Sequence, residues 1–145
     1  MKKFSLKIIT PEKVIYDQPV HEVILPTKDG QAGILAEHAP YMAPLNADEL
    51  IIFEEESRDP EHIISMAIDF GLAEFSDNQL TILVGEAEPA AEIDLVLAEQ
   101  AKKRAQELMK EQIDDEDEYA HALALLEHEI AKIKVANKYR RKINH

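Results

Sequence analysis

The sequence predicts an α+β chain, an N-terminal antiparallel β-sandwich or flattened barrel followed by a C-terminal two-helix hairpin, and three observations point there. Residues 1 to 86 are punctuated by Gly and Pro, and their apolar residues recur with a period near two. Past Glu88-Pro89 the period lengthens to about three and a half, as on a helix face. That second part is rich in Ala and is split by Asp114-Asp115-Glu116-Asp117-Glu118, a polar turn between two helices. Two modules follow: 1 to 86, able to bury its own core, and 87 to 145, too thin to do so alone.

Phe4, Leu6 and Ile8 alternate with Ser5 and Lys7, which places three apolar side chains on one face of a first strand. Thr10-Pro11-Glu12 breaks it, because proline has no amide proton to give a ladder. Val14-Ile15-Tyr16 and Val20 to Leu25 read as the next strands, with a turn through Pro26, Asp29 and Gly30. Gly33-Ile34-Leu35 after it is too short for a helix. Leu50 to Glu55, Ile63 to Ile68, Leu72 to Phe75 and Leu80 to Val84 complete the series, separated by turns at Ser57-Arg58-Asp59-Pro60 and Ser76-Asp77-Asn78. Short strands at close spacing are the pattern of a sandwich or barrel.

Pro89 suits the first turn of a helix, and Ile93, Leu97, Ala101, Ala105 and Leu108 follow one face of it. In the second helix Tyr119, Leu123, Leu126, Ile130 and Ile133 step by four and three, a narrow seam of the two-helix kind. Flanking alanines let backbones approach closely but bury little area per residue. The hairpin is therefore expected to dock weakly, as an element that a competing surface can displace.

The formal charge of −13 argues against nucleic acid as a partner, because phosphate binding draws on concentrated Lys and Arg. From Lys132 onward the sign reverses, with Lys134, Lys138, Arg140, Arg141 and Lys142 and no acid after them. Such an end complements a helix dipole or meets an acidic partner. With no cysteine, disulfides, thiolate metal sites and thiol catalysis are excluded, and a reducing cytoplasm is the simplest address. Met1-Lys2-Lys3 has the charge of a signal n-region, but the alternation after it reads as a strand, and no run approaches the ~20 apolar residues of a membrane span.

Catalytic constellations do not assemble. Ser5, Ser57, Ser65 and Ser76 lack elbow glycines, and Asp69-Phe70-Gly71 stands without the other parts of a kinase site. Glu118 and His121 have the spacing of a carboxylate-bridged metal site but no second pair, and His128 lies two turns from His121, too far for one ion. The acidic run lacks the central glycine of an EF-hand loop and reads as a solvated turn with capping carboxylates. No catalytic residue, metal or cofactor is expected. His38, beside Pro40 in a surface turn, is the residue best placed to contact a partner.

Gly33-Ile34-Leu35-Ala36-Glu37-His38-Ala39-Pro40, preceded by Asp29-Gly30-Gln31-Ala32, resembles the Gly-Ile-Leu-Pro-Gly-His-Ala-Pro loop of the epsilon subunit of bacterial F-type ATP synthases. Ile9-Thr10-Pro11-Glu12 resembles that family's Val-Thr-Pro-Glu, Leu80 to Val84 its last strand, and Glu92-Ile93-Asp94-Leu95 the opening of its first helix. The ordered set spans nearly the whole chain. Ala36-Glu37 for Pro-Gly, and Asp69-Phe70-Gly71 for Ser-Gly-Gly, alter turns and not the plan.

The resemblance implies a non-catalytic rotor subunit of the central stalk, peripheral on the cytoplasmic face of the cell membrane, coupling proton-driven rotation to ATP synthesis. It implies that Thr10, His38, Met42 and Ala43 face the gamma subunit, and that Asp29, Gly30 and Gln31 meet the c-subunit ring. Gln31 stands where the family often has Glu, so the contact there would rest on amide hydrogen bonds. It further implies that the helices reach toward the alpha/beta catalytic head and restrain ATP hydrolysis, with Lys134, Lys138, Arg140, Arg141 and Lys142 meeting an acidic segment of the beta subunits. Some relatives bind ATP through an Ile/Leu-Asp-x-x-Arg-Ala motif. Here Asp94 and Ala98 match it, Arg104 lies further along, and Leu97 replaces the arginine whose charged fork the contact needs, so weak or absent ATP binding is expected. The alternative function is a free-standing module whose hairpin closes on a small molecule.

Overall fold

The computed structural model describes residues 2–111 and 114–143. Ten strands are seen among them: β1 (Phe4–Ile9), β2 (Val14–Val20), β3 (Glu22–Thr27), β4 (Gly30–Leu35), β5 (Tyr41–Leu45), β6 (Asp48–Phe53), β7 (Ile63–Ile68), β8 (Gly71–Ser76), β9 (Gln79–Val84) and β10 (Ala87–Pro89). A 3₁₀ turn at Ala90–Glu92 leads into α1 (Leu95–Lys110) and α2 (Glu116–Ile143). The strand order is β10-β7-β6-β3-β5-β8-β9-β1-β2, with β4 paired to β3 off this path. The pairs are antiparallel, except that β1 runs parallel to β9, which the expectation of an antiparallel module did not include.

Alternation builds the core. Phe4, Leu6 and Ile8 turn inward from β1, Leu80 and Ile82 from the adjoining β9, and Leu50 and Ile52 from β6. Phe4 meets Phe75 of β8 edge to face, 5.6 Å between ring centres, a favoured arrangement of two aromatic quadrupoles. Three features depart from the expected strands. β2 continues through Asp17-Gln18-Pro19, because it is an edge strand on which proline's missing amide leaves no ladder bond unmade. β5, carrying Pro44 and pairing mainly with β8, had no alternation strong enough to announce it. β10 extends the sheet to Pro89, past the expected boundary at residue 86, by pairing with β7.

Pro89 thus closes a strand and precedes the 3₁₀ turn at Ala90–Glu92, and does not open α1. The cap of α1 is Asp94, whose carboxylate accepts from the Leu97 amide at 3.1 Å. Asp115 serves α2 in the same way, accepting from the Asp117 amide at 2.8 Å, so the acidic run supplies a capping carboxylate as expected. The root of this helical arm packs Ile93, Val135 and Ala136, with Leu95 and Tyr139 beside them, onto Ala67 of β7 and Ala90.

The expected helical seams are corrected in part by this packing. Ile93 and Ala105 of the expected α1 face are buried, but Leu97 and Leu108 are exposed, and Ala98 is buried instead. On α2, Tyr119, Leu123 and Ile130 are 45%, 36% and 45% exposed, while Ala122, His128, Ala131, Val135 and Ala136 are buried. Small side chains set much of the contact because they allow two backbones to approach; Leu126 and Ile133 are half-buried, and Tyr119, Leu123 and Ile130 are left on the outer face.

Candidate functional site: the seat of the helical arm

The residues singled out on the sandwich fall into separate groups. Asp29, Gly30 and Gln31 come together at the exposed tip of the β3–β4 hairpin. Gly30 has φ +117°, in a region that a side chain resists, and the Thr27 hydroxyl donates to its carbonyl while accepting from the Asp29 amide. The tip is thereby a stiff polar projection. His38 is held by its Nδ1 against the Ala39 carbonyl, 2.7 Å, and packs edge-on to Tyr41 and Phe75. Met42 is 61% exposed, whereas Ala43 beside it is 7% exposed and turned inward by the alternation of β5. Thr10, in a turn closed with Lys13, lies elsewhere. The register Ile9 to Leu83, Leu83 to Leu72 and Leu72 to Pro44 puts it at the opposite end of these strands from His38.

Among the described residues, a cluster of ion pairs joins the arm to the sandwich. Lys134 donates to Asp48 at 2.7 Å, and Lys138 donates to Glu49 at 2.8 Å. Glu49 is buried and also accepts from the Ser65 hydroxyl of β7. One helical turn toward the tip, Lys132 reaches Glu86 at 3.0 Å, Glu88 at 3.5 Å and Glu129 at 3.6 Å. His128, 4% exposed, donates from Nε2 to Glu86 at 3.0 Å. The hydrogen bond from His128, backed by Lys132 and opposed by partial burial, holds the Glu86 carboxyl at about 2. Glu88 is pushed the other way, chiefly by burial. Burial also works against the Lys132 ammonium, but its bond and attraction to Glu86, with Glu129 and Glu88, outweigh it and hold it above its ordinary range.

A cavity of about 730 Å³ adjoins this seat, between β7, Pro89-Ala90-Ala91 and the last turns of α2 at Lys138, Tyr139 and Ile143. Its walls are mainly apolar, so the arm does not seal completely against the sheet. The cations of α2 and the carboxylates of β6, β10 and the β9–β10 loop make an interface that polar competitors and salt can enter.

Two family models cover the chain: the ATP synthase delta/epsilon chain β-sandwich domain over residues 3–90, and the long α-helix domain of the same chain over 91–137. The chain belongs to the ATP synthase delta/epsilon family. Among its relatives, the ATP synthase epsilon chain of Syntrophobacter fumaroxidans is 36% identical over 137 residues, 94% of this chain and 98% of the relative. That of Trichlorobacter lovleyi is 33% identical, covering 97% and 99%. A chain in the Euglena gracilis mitochondrial ATP synthase structure of OSCP, F1 and c-ring matches with TM-score 0.71 at 24% identity, covering 89% of this chain and 78% of that one. One in the central stalk and c-ring of the Tetrahymena thermophila enzyme matches with TM-score 0.56 at 16% identity, covering 93% and 97%. These two likenesses are of fold.

In this epsilon-family chain the remnants of the nucleotide motif are employed or dispersed. Asp94 spends its carboxylate on the α1 cap, Leu97 points outward at 59% exposure, Ala98 is buried, and Arg104 stands exposed a further turn and more along. The basic residues divide: Lys134 and Lys138 are engaged by the sandwich, and Arg140, Arg141 and Lys142 are exposed. No described helix is long and apolar enough to cross a membrane. Sequence reasoning missed the carboxylates Asp48, Glu49, Asp69, Glu86 and Glu88, and the roles of His128 and Lys132. The available signal was the row His128, Ala131 and Val135 on α2, a buried stripe at helical spacing that avoids the large residues.

Proposed function

We propose that this epsilon subunit is a non-catalytic rotor component of a proton-translocating ATP synthase, held at the cytoplasmic face of the membrane by its assembly. Its sandwich stands against gamma and the ring of c subunits, and its arm restrains ATP hydrolysis when it leaves the sandwich for the alpha/beta head. The observation that best supports the arm's role is the combination at its seat. A contact built from alanines and ion pairs leaves Tyr119, Leu123 and Ile130 uncovered on α2, a surface ready for another protein.

Torque transmission needs a stiff body, and the closed-packed strands provide one. Asp29, Gly30 and Gln31 offer polar groups at a fixed tip to the ring. His38 and Met42 present an aromatic edge and a flexible thioether to gamma, with Thr10 contributing from the other end of the strands. Lys134 and Lys138, which hold the arm down here, are the cations that an acidic segment of a beta subunit would take over. The same charges would then serve both positions, and exchanging one set of carboxylates for another costs little.

ATP does not regulate the arm in this reading, because no arginine stands at Leu97 and Asp94 is committed to its cap. Calorimetric titration with ATP should give no heat of binding in the micromolar range; a micromolar Kd would contradict it. The function itself is tested by comparing ATP hydrolysis by the catalytic head with gamma, in the presence of the full chain or of a chain ending at Pro89. At equal binding, the shortened chain should permit faster hydrolysis. Equal rates would remove the inhibitory arm, and failure of both chains to bind would remove the rotor assignment.

A further inference from the structure

A residue with a long side chain takes a left-handed backbone conformation beside His38. The turn Leu35-Ala36-Glu37-His38 between β4 and β5 is closed by the His38 amide, which donates to the Leu35 carbonyl at 3.2 Å. Its third residue, Glu37, has φ +66°, a value that Gly or Asn takes readily in that place and that glutamate resists through its Cβ. The bond that closes the turn does not use the Glu37 amide, which is left for a partner outside it.

Asn78 is that partner. Its Oδ1 accepts from the Glu37 amide at 2.7 Å, while its Nδ2 donates to the Lys3 carbonyl at 3.1 Å. The two contacts fix which way the side-chain amide lies, because an N–H on one side requires the oxygen and a carbonyl on the other requires the nitrogen. Asn78 is itself anchored. It sits in the two-residue turn Asp77-Asn78 of the β8–β9 hairpin, with φ +50° and +59°, a conformation that matches the twist of the flanking strands. Its backbone carbonyl accepts from the Ser5 amide of β1 at 3.2 Å. Lys2 adds an ion pair to Glu37 at 2.8 Å, but both side chains are well exposed and the pair contributes little. His38 follows Glu37 directly, and its ring packs on Phe75, three residues before Asn78. One hairpin thus holds the loop at two points, by the backbone of Glu37 and by the ring of His38.

We propose that Asn78 is a positioning residue for the loop of residues 36–40: it holds Glu37 in the left-handed conformation and thereby fixes the direction in which His38 is offered to gamma. The part played in binding rests on the reading of His38 as a gamma contact, whereas the clamp on Glu37 is a property of the chain alone. A loop already in its bound shape spares the complex the cost of ordering it. Asn78 is exposed, so removing its side chain empties no core, and glycine in its place keeps the left-handed backbone of the hairpin turn.

The full chain carrying Asn78→Gly separates the two parts. Amide hydrogen exchange should accelerate several-fold at Glu37 and stay unchanged within β8 and β9. Affinity for the catalytic head with gamma should fall roughly 3- to 10-fold. In a His38→Ala background the same change should cost no further affinity, because no ring is left to aim. An undisturbed Glu37 amide in Asn78→Gly, or one already unprotected in the wild type, would overturn the clamp, and the wild-type measurement decides even where the variant does not fold. An equal fall in affinity with and without the His38 ring would overturn the positioning. Should His38→Ala by itself leave affinity intact, the gamma contact assigned to His38 is lost and the positioning with it, while exchange at Glu37 still decides the clamp.

Discussion

Met42 and Ala43 are neighbours in β5, yet only Met42 is open to a partner, because each step along a strand reverses the face. The same scale decides what Glu86 does. Its carboxyl is held at about 2, under the hydrogen bond from His128 and the bond and charge of Lys132, against ~4.3 for an ordinary glutamate. A carboxyl lowered in this way contributes fully above its ordinary value and loses that contribution as pH falls through the lowered one. Arm protection should therefore hold level from about pH 6 to about pH 4.5 and decline toward about pH 2. Exchange measured over that range should show a shallower decline in Glu86→Gln. Of these residues the sequence disclosed His38, and the Asp29 to Gln31 turn, through their local chemistry. Glu86, Asp69 and His128 are separated by up to 59 positions and meet only because β7, β9 and α2 bring them together.

At the scale of elements, strands were legible where alternation was strong, as in β1 and β9. They were cut short or hidden where proline lay within or at the end of them: β2 was read only as far as Tyr16, and β5 and β10 were not read at all. The helices were legible as helices and misread as surfaces. The expected α1 face held Ala105 but also Leu97 and Leu108, and the α2 seam was placed on large apolar residues, whereas close approach selected Ala98, Ala122, Ala131 and Ala136. Alanine has little area to bury, so the hairpin depends on its caps more than a helix with a leucine core does. Asp94→Ala removes the acceptor of the Leu97 amide and should cost about 1 kcal/mol, without disturbing the sandwich strands. Exchange at the first turns of α1 should accelerate while that of β1 and β9 stays unchanged. An equal loss throughout would mean that the arm and the sandwich unfold as one unit.

For the whole molecule, a ten-stranded body with its own core bears an arm that it holds by alanines, a histidine and three lysines. Belonging to the ATP synthase delta/epsilon family explains why two such different modules share one short chain. The central claim is that the sandwich restrains the arm and that the released arm restrains hydrolysis. Loosening the seat from the sandwich side tests this most directly, because the arm keeps its own sequence. In Asp48→Asn with Glu49→Gln, Lys134 and Lys138 lose their ionic partners. ATP hydrolysis would be measured with the catalytic head and gamma at equal occupancy of the wild-type and altered subunits. Slower hydrolysis with the altered subunit is the predicted result. Hydrolysis as fast as with the wild type, or faster, while exchange shows the arm released, would contradict it.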